Sequence, residues 1–131
     1  MRKVQVLIVD DHPLVLASIE SILRMEQGIE VVGTASSATQ AIAKAAELKP
    51  DIVIMDFCMD GPDGIEASQA IKRKDPGIDV IILSAFEQLG HSDRARSAGI
   101  AGWVSKDLAP DELLKTINLV VSERTARQVM T

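Results

Sequence analysis

Cysteines, aromatic rings, long apolar runs and positive charge are all scarce in this sequence, and each scarcity removes a class of answer. Cys58 is the single cysteine, so no internal disulfide can form and a cysteine-built zinc site lacks its ligands. That composition suits a reducing compartment. The aromatic residues are Phe57, Phe86 and Trp103 alone, too few to form a stacking platform for single-stranded nucleic acid. No apolar stretch approaches the ~20 residues that would span a bilayer. Met1-Arg2-Lys3-Val4 leads directly into a strand-like run, without the apolar segment and cleavage site of a signal peptide. The expectation is a cytoplasmic protein. A net charge of −5 argues against the domain as a whole wrapping nucleic acid. At 131 residues the chain is long enough to bury one core and too short for two.

What is present is a regular alternation. Val4 to Val9 is almost continuously apolar and β-branched, the pattern of a strand covered on both faces. Pro13 suits the first position of a helix with Val15, Ser18 or Ile19, Ile22 and Leu23 on one face, ended by Gly28. A strand over 30–35 follows. Ser37 and Gln40 have the spacing of a capping box for a helix with Ala38, Ile42, Ala45 and Leu48 inward and Pro50 as its stop. A third strand, 51–55, delivers Asp56. Gly61, Pro62 and Gly64 mark a loop before a weakly patterned helix over 65–74, closed by Pro76 and Gly77. Val80 to Leu83 reads as a fourth strand ending at Ser84. A polar helix over 87–98, a short strand around Trp103 and Val104, and a last helix from Pro110 with Leu113, Ile117 and Val120 inward complete the chain. The apolar pattern weakens from Ser122, which predicts a frayed helix end or the start of a linker over 122–131.

Five strands alternating with five helices predict an α/β fold with a doubly wound parallel sheet, since each parallel connection requires a right-handed crossover. In such sheets ligands bind outside the carboxyl ends of the strands. Asp10, Asp11, Asp56, Ser84 and Lys106 all fall at those ends. Clustered carboxylates suit a hard divalent cation, and Mg²⁺ is typically held by one or two of them with water and phosphate. Lys106 adds a fixed positive charge and Ser84 a hydroxyl donor, the parts that phosphoryl transfer needs. Asp56 is then the nucleophile. The bland alternative for Asp10 and Asp11 is helix capping by exposed acids. His12 and His91 lack a second histidine or cysteine at ligand spacing, so structural or solvent roles are expected for both.

The ordered set resembles the receiver domains of two-component response regulators. It comprises Asp10-Asp11, Asp56 followed by Met59, Gly61, Asp63 and Gly64, then Ser84-Ala85, and finally Lys106. The resemblance extends from about Val4 to Val121, which sets the receiver domain at 1–121. Asp11-His12-Pro13 and Gly99-Ile100-Ala101-Gly102-Trp103 look most like the subgroup with a helix-turn-helix output domain of the LuxR, FixJ and NarL type. The resemblance implies a flavodoxin-like five-stranded sheet of order 2-1-3-4-5. It also implies phosphorylation of Asp56 by a sensor histidine kinase or a histidine phosphotransfer protein. By position, Asp11, Asp56 and the Cys58 backbone carbonyl would hold Mg²⁺, with Asp10 reaching it through water. Ser84 and Lys106 would bind the phosphoryl oxygens, and Trp103 would be the aromatic switch. Output would pass through the face of the fourth helix, fifth strand and fifth helix, for example by homodimerisation. DNA would be reached only through an output domain outside this sequence. Polar side chains commonly stand two residues after the acceptor and two after the serine; Cys58 and Phe86 stand here, implying slow loss of the phosphoryl group. Asp60 and Asp107 replace prolines common in the family.

Two competing readings are an aspartate-nucleophile Mg²⁺-dependent phosphatase of the haloacid dehalogenase type and a pseudo-receiver that works without phosphorylation. The first needs a second aspartate two residues after the nucleophile, where this chain has Cys58. The second leaves the acids and the lysine without a purpose.

Overall fold

The computed structural model describes residues 3–85, 93–107 and 110–130. Strands and helices alternate in the order β1 (Val4–Val9), α1 (Pro13–Arg24), β2 (Ile29–Ala35), α2 (Ala38–Leu48), β3 (Ile52–Asp56), α3 (Gly64–Lys74), β4 (Asp79–Ser84), α4 (Asp93–Ser97), β5 (Gly102–Ser105) and α5 (Pro110–Met130). All strand pairings are parallel and the sheet order is β2-β1-β3-β4-β5, as expected for the fold.

The period of two in each strand divides the core into two layers. Val6, Ile8, Ile52, Ile54, Ile81 and Leu83 point to the α1/α5 side, where they meet Ile19, Leu23, Leu113, Ile117 and Val120. Leu7, Val9, Val53, Met55, Val80 and Ile82 point the other way, onto Ala38, Ala41, Ala45, Ala67 and Ile71 of α2 and α3. Burial of each large aliphatic side chain contributes about 1.5–3 kcal/mol before chain entropy is charged against it. Because both faces are covered, the inner strands β3 and β4 are buried along their whole length. Their carboxyl ends are the part of the sheet open to polar chemistry.

Several local expectations shift. Helix α1 stops at Arg24, whose guanidinium pairs with Glu20 at 2.6 Å, and Gly28 lies in the turn beyond it. Ser37 does cap α2 by accepting from the Gln40 N–H at 3.1 Å, but the Gln40 side chain accepts from Ser36 rather than Ser37, so the box is half formed. Ala41 is buried in α2, while Ile42 and Leu48 are only partly so; alanines let this helix lie close to the sheet. The reciprocal box belongs to α3, where Asp63 and Glu66 satisfy each other's backbone N–H groups. The fourth helix is described over Asp93–Ser97 only; the earlier part of the span expected for it, and Phe86, lie outside the described residues.

The larger difference is at the end of the chain. Helix α5 continues unbroken through Ser122 to Met130. Its polar end is anchored, because Arg124 reaches the amino ends of β3 and β4, bonding the Asp51 carboxylate at 3.2 Å, the Asp79 carboxylate at 2.9 Å and the Gly77 carbonyl at 2.6 Å. Arg127 adds a second contact to Asp79 at 2.7 Å. Sequence periodicity registers apolar faces, and this anchoring is ionic. Since the Asp79 side chain is only 5% exposed, losing a partner leaves a desolvated charge. Arg124→Ala is expected to cost about 2–3 kcal/mol of unfolding free energy, measured by urea denaturation.

Candidate functional site

Three turns at the carboxyl edge of the sheet bring the site together. Strand β1 ends at Val9, and the Asp10 N–H is still held by the Ala35 carbonyl at 3.1 Å, which fixes Asp10 at the sheet edge. Asp10 is fully buried. Its Oδ1 accepts the His12 backbone N–H at 2.8 Å, an Asx-type turn that leads into α1. Helix capping by exposed acids is therefore not what Asp10 does: His12 occupies the N-cap, without a side-chain cap bond, and the first turn of α1 contains no acid.

Strand β3 carries Asp56 as its last residue, 1% exposed. The loop after it returns closely, with the Gly64 N–H donating to the Phe57 carbonyl at 2.8 Å. A Cβ at Gly64 would lie 2.7 Å from the Asp56 carbonyl oxygen, so the first residue of α3 must be glycine for the loop to close over the acceptor. Cys58 donates its backbone N–H to Asp56 Oδ1 at 3.3 Å while its side chain is exposed.

Lys106 follows β5, its backbone N–H bonded to the Ser84 carbonyl at 3.0 Å, and its ammonium crosses to the neighbouring strand ends. Nζ lies 2.8 Å from Asp56 Oδ1 and 3.3 Å from Asp10 Oδ2. Ser84 is buried at the end of β4, between the strand ends that carry Asp56 and Lys106. Asp11 is 31% exposed at the mouth. The pocket thus sets three carboxylates against one ammonium, leaving negative charge in excess.

That imbalance is visible in the protonation of the pair. Burial raises the Asp56 carboxyl above the usual carboxylate range and the Asp10 charge adds to this, while Lys106 pulls it back without cancelling the rise. For Lys106, burial acts to lower the ammonium, but its hydrogen bond to Asp56 and the charge of Asp10 outweigh it, and the net shift is upward. Asp56 Oδ1 is occupied by Lys106 and Cys58. Asp56 Oδ2 is buried with no hydrogen-bond partner among the described residues, whereas Asp10 Oδ2 has the 3.3 Å contact to Lys106 Nζ and Asp11 Oδ1 a 3.0 Å contact to His12 Nδ1. Buried carboxylate oxygens normally find donors. Converging carboxylate oxygens with fewer donors than they can accept, in a pocket with excess negative charge, fit a divalent cation held by oxygen ligands.

The site brings together Asp10, Asp11, Asp56, Cys58 and Lys106, with Ser84 at the adjoining strand end. Trp103 stands apart on the α3/α4 side, its ring centroid 5.6 Å from that of Phe57 and its indole Nε1 buried without a partner among the described residues. Two participants were not anticipated. Arg94 of α4 bonds the α3 cap Asp63 at 2.6 Å, joining α4 to the end of the acceptor loop. His12, expected in a structural or solvent role, has Nδ1 3.0 Å from both Asp10 Oδ1, to which it is hydrogen-bonded, and Asp11 Oδ1. The available signal was its adjacency to the acid pair and to Pro13, which fixes the turn.

Comparison with known proteins agrees with this geometry. Residues 6–118 match the response regulator receiver domain family. The response regulator protein VraR of Staphylococcus aureus is 40% identical over 114 residues, covering 87% of this chain and 54% of that protein. The chain thus spans about half the length of the curated relatives it matches. A LuxR-family two-component response regulator from Aurantimonas sp. SI85-9A1 superimposes with a TM-score of 0.87 at 32% identity, covering 93% of this chain and 87% of the other. A CheY-like response regulator receiver domain protein from Methanospirillum hungatei JF-1 gives a TM-score of 0.85 at 25% identity, covering 97% and 99%. With the sheet order, the buried acids and the crossing lysine already in place, the extent of these matches means that the chain belongs to the response regulator receiver domain family.

Proposed function

We propose that this receiver domain takes a phosphoryl group onto Asp56 from a phosphohistidine of a sensor kinase or phosphotransfer protein, with Mg²⁺ held by Asp11, Asp56 and the Cys58 carbonyl. The observation that carries the reading is the division of labour within one carboxylate. Asp56 Oδ1 is tied down by Lys106 at 2.8 Å, and Oδ2 is buried and unpaired, ready to act as nucleophile. Attack by Oδ2 forms the P–O bond of an acyl phosphate as the donor P–N bond breaks, its electron pair leaving with the imidazole. Lys106 and the Ser84 hydroxyl then receive the phosphoryl oxygens. A bound cation supplies charge neutralisation for the incoming group. Asp10, already hydrogen-bonded, keeps the metal-facing turn in position.

The acyl phosphate is expected to draw Lys106 and Ser84 toward it, and Phe57 and Trp103 form the packed route from the acceptor loop to α4. The output is a change in partner binding, with the α4–β5–α5 face as the candidate dimer surface; Leu119 of α5 is 64% exposed. Likeness to LuxR-family regulators supports transcription control through a helix-turn-helix domain in the full-length protein, in the cytoplasm. Among the described residues, no helix is long and apolar enough to cross a membrane.

Incubation with Mg²⁺ and acetyl phosphate, read by intact mass, should add one phosphoryl group to the wild-type chain and none to Asp56→Asn. Absence of the adduct, or its survival in the variant, would overturn the reading in favour of a pseudo-receiver or another acceptor. The raised Asp56 carboxyl also has a thermodynamic sign. Its contribution to stability is full below the unfolded value of 3.8 and is lost as pH rises through the folded value. Asp56→Asn should therefore gain heat stability relative to wild type as pH rises above 3.8, a trend that melting curves at increasing pH would show. The lifetime of the adduct should be long, because the exposed Cys58 thiol offers no carboxamide to orient water. Replacing Cys58→Asn together with Phe86→Glu should shorten it by about tenfold, measured by loss of the mass adduct.

A further inference from the structure

The acid pocket contains one group that this chemistry does not use, the imidazole of His12. Its backbone is fixed on both sides, by the 2.8 Å bond from its N–H to Asp10 Oδ1 and by Pro13 at the start of α1. The ring is therefore placed by the turn, although its side chain is 61% exposed. Nδ1 points inward, 3.0 Å from Asp10 Oδ1, 3.0 Å from Asp11 Oδ1 and 3.9 Å from Asp56 Oδ2. One donor atom from each of Asp10, Asp11, His12 and Asp56 falls within 4.8 Å of the other three. A single ion with bonds of about 2.0–2.2 Å brings ligands to nearly that separation when they stand opposite one another. Asp56 Oδ2, on a side chain 1% exposed and without a hydrogen-bond partner among the described residues, faces the same space.

We infer that His12 Nδ1 is a ligand of this cation seat, and that it shifts the preference of the site from Mg²⁺ toward first-row divalent metals that accept nitrogen. The inference deepens the phosphoacceptor reading and rests on it. Mg²⁺ demands oxygen ligands and gains little from an imidazole, whereas Ni²⁺, Zn²⁺ and Fe²⁺ bind one well. The ring thus has opposite effects on the two classes. Toward Mg²⁺ it competes for the oxygens of Asp10 and Asp11. Toward a metal such as Ni²⁺ it adds a donor while those oxygens stay available. A ring that only covered the acids would hinder both ions alike.

Isothermal titration calorimetry of the wild-type chain, His12→Ala and His12→Gln with Mg²⁺ and with Ni²⁺ separates these cases. The Ni²⁺-to-Mg²⁺ affinity ratio should fall about tenfold or more in both variants, and the visible absorption band of bound Ni²⁺ should move as nitrogen leaves its ligand set. A ratio that stays at the wild-type value, or that falls instead in His91→Ala, would overturn the inference. Circular dichroism of each variant checks that the fold is kept. Acetyl phosphate labelling of the wild-type chain with Mg²⁺ is run in parallel. Failure there removes the phosphoacceptor reading itself, while labelling alongside an unchanged ratio removes only the role of His12.

Discussion

The ion pair between Lys106 and Asp56 crosses the carboxyl edge of the sheet from the end of β5 to the end of β3, passing over β4. It ties together segments fifty residues apart in sequence, and Lys106 is the only basic side chain, among the described residues, in ion-pair contact with Asp56 apart from the more distant His12. Everything around it follows from the cost of burying charge. An unpaired Asp56 in so dry a position would take up a proton and lose its charge. Paired with Lys106 at Oδ1, it keeps Oδ2 without a hydrogen-bond partner among the described residues.

The opposite edge of the sheet uses the same chemistry for a different purpose. There Arg124 and Arg127 saturate Asp51 and Asp79, and the Asp51 carboxylate also accepts the Gln5 N–H at 2.9 Å. At that edge the acids have partners in proportion to their charge. At the carboxyl edge they do not. The comparison distinguishes a cluster that holds a fold together from one left with oxygens to spare, and only the second has the character of a binding site.

Most of the architecture was legible in the sequence because it rests on apolar periodicity. The runs ending at Val9, Met55 and Leu83 are short, β-branched and bounded by turns, and the helices between them show their inner faces. The convergence of Asp10, Asp56 and Lys106 followed from strand order alone, since a parallel sheet puts all carboxyl ends at one edge. What escaped detection was set by polar contacts between distant residues. Arg124 gives no sign in its neighbours that it will meet Asp51, and Arg94 none that it will meet Asp63. The α3 cap was overlooked because its helix is weakly patterned, although Asp63 and Glu66 have the same spacing as Ser37 and Gln40. Histidine spacing carried no information on the partners of His12, which are the carboxylates beside it.

Trp103 is the only tryptophan in the chain. Its ring leans on Phe57, the residue next to Asp56, and its indole nitrogen is shielded from water without a hydrogen-bond partner among the described residues. Indole emission responds to polarity and to nearby charge, so the molecule carries a single tryptophan chromophore one side chain away from the Asp56 loop. Changes at the acceptor loop can therefore be followed as light, in the unmodified protein, without any label.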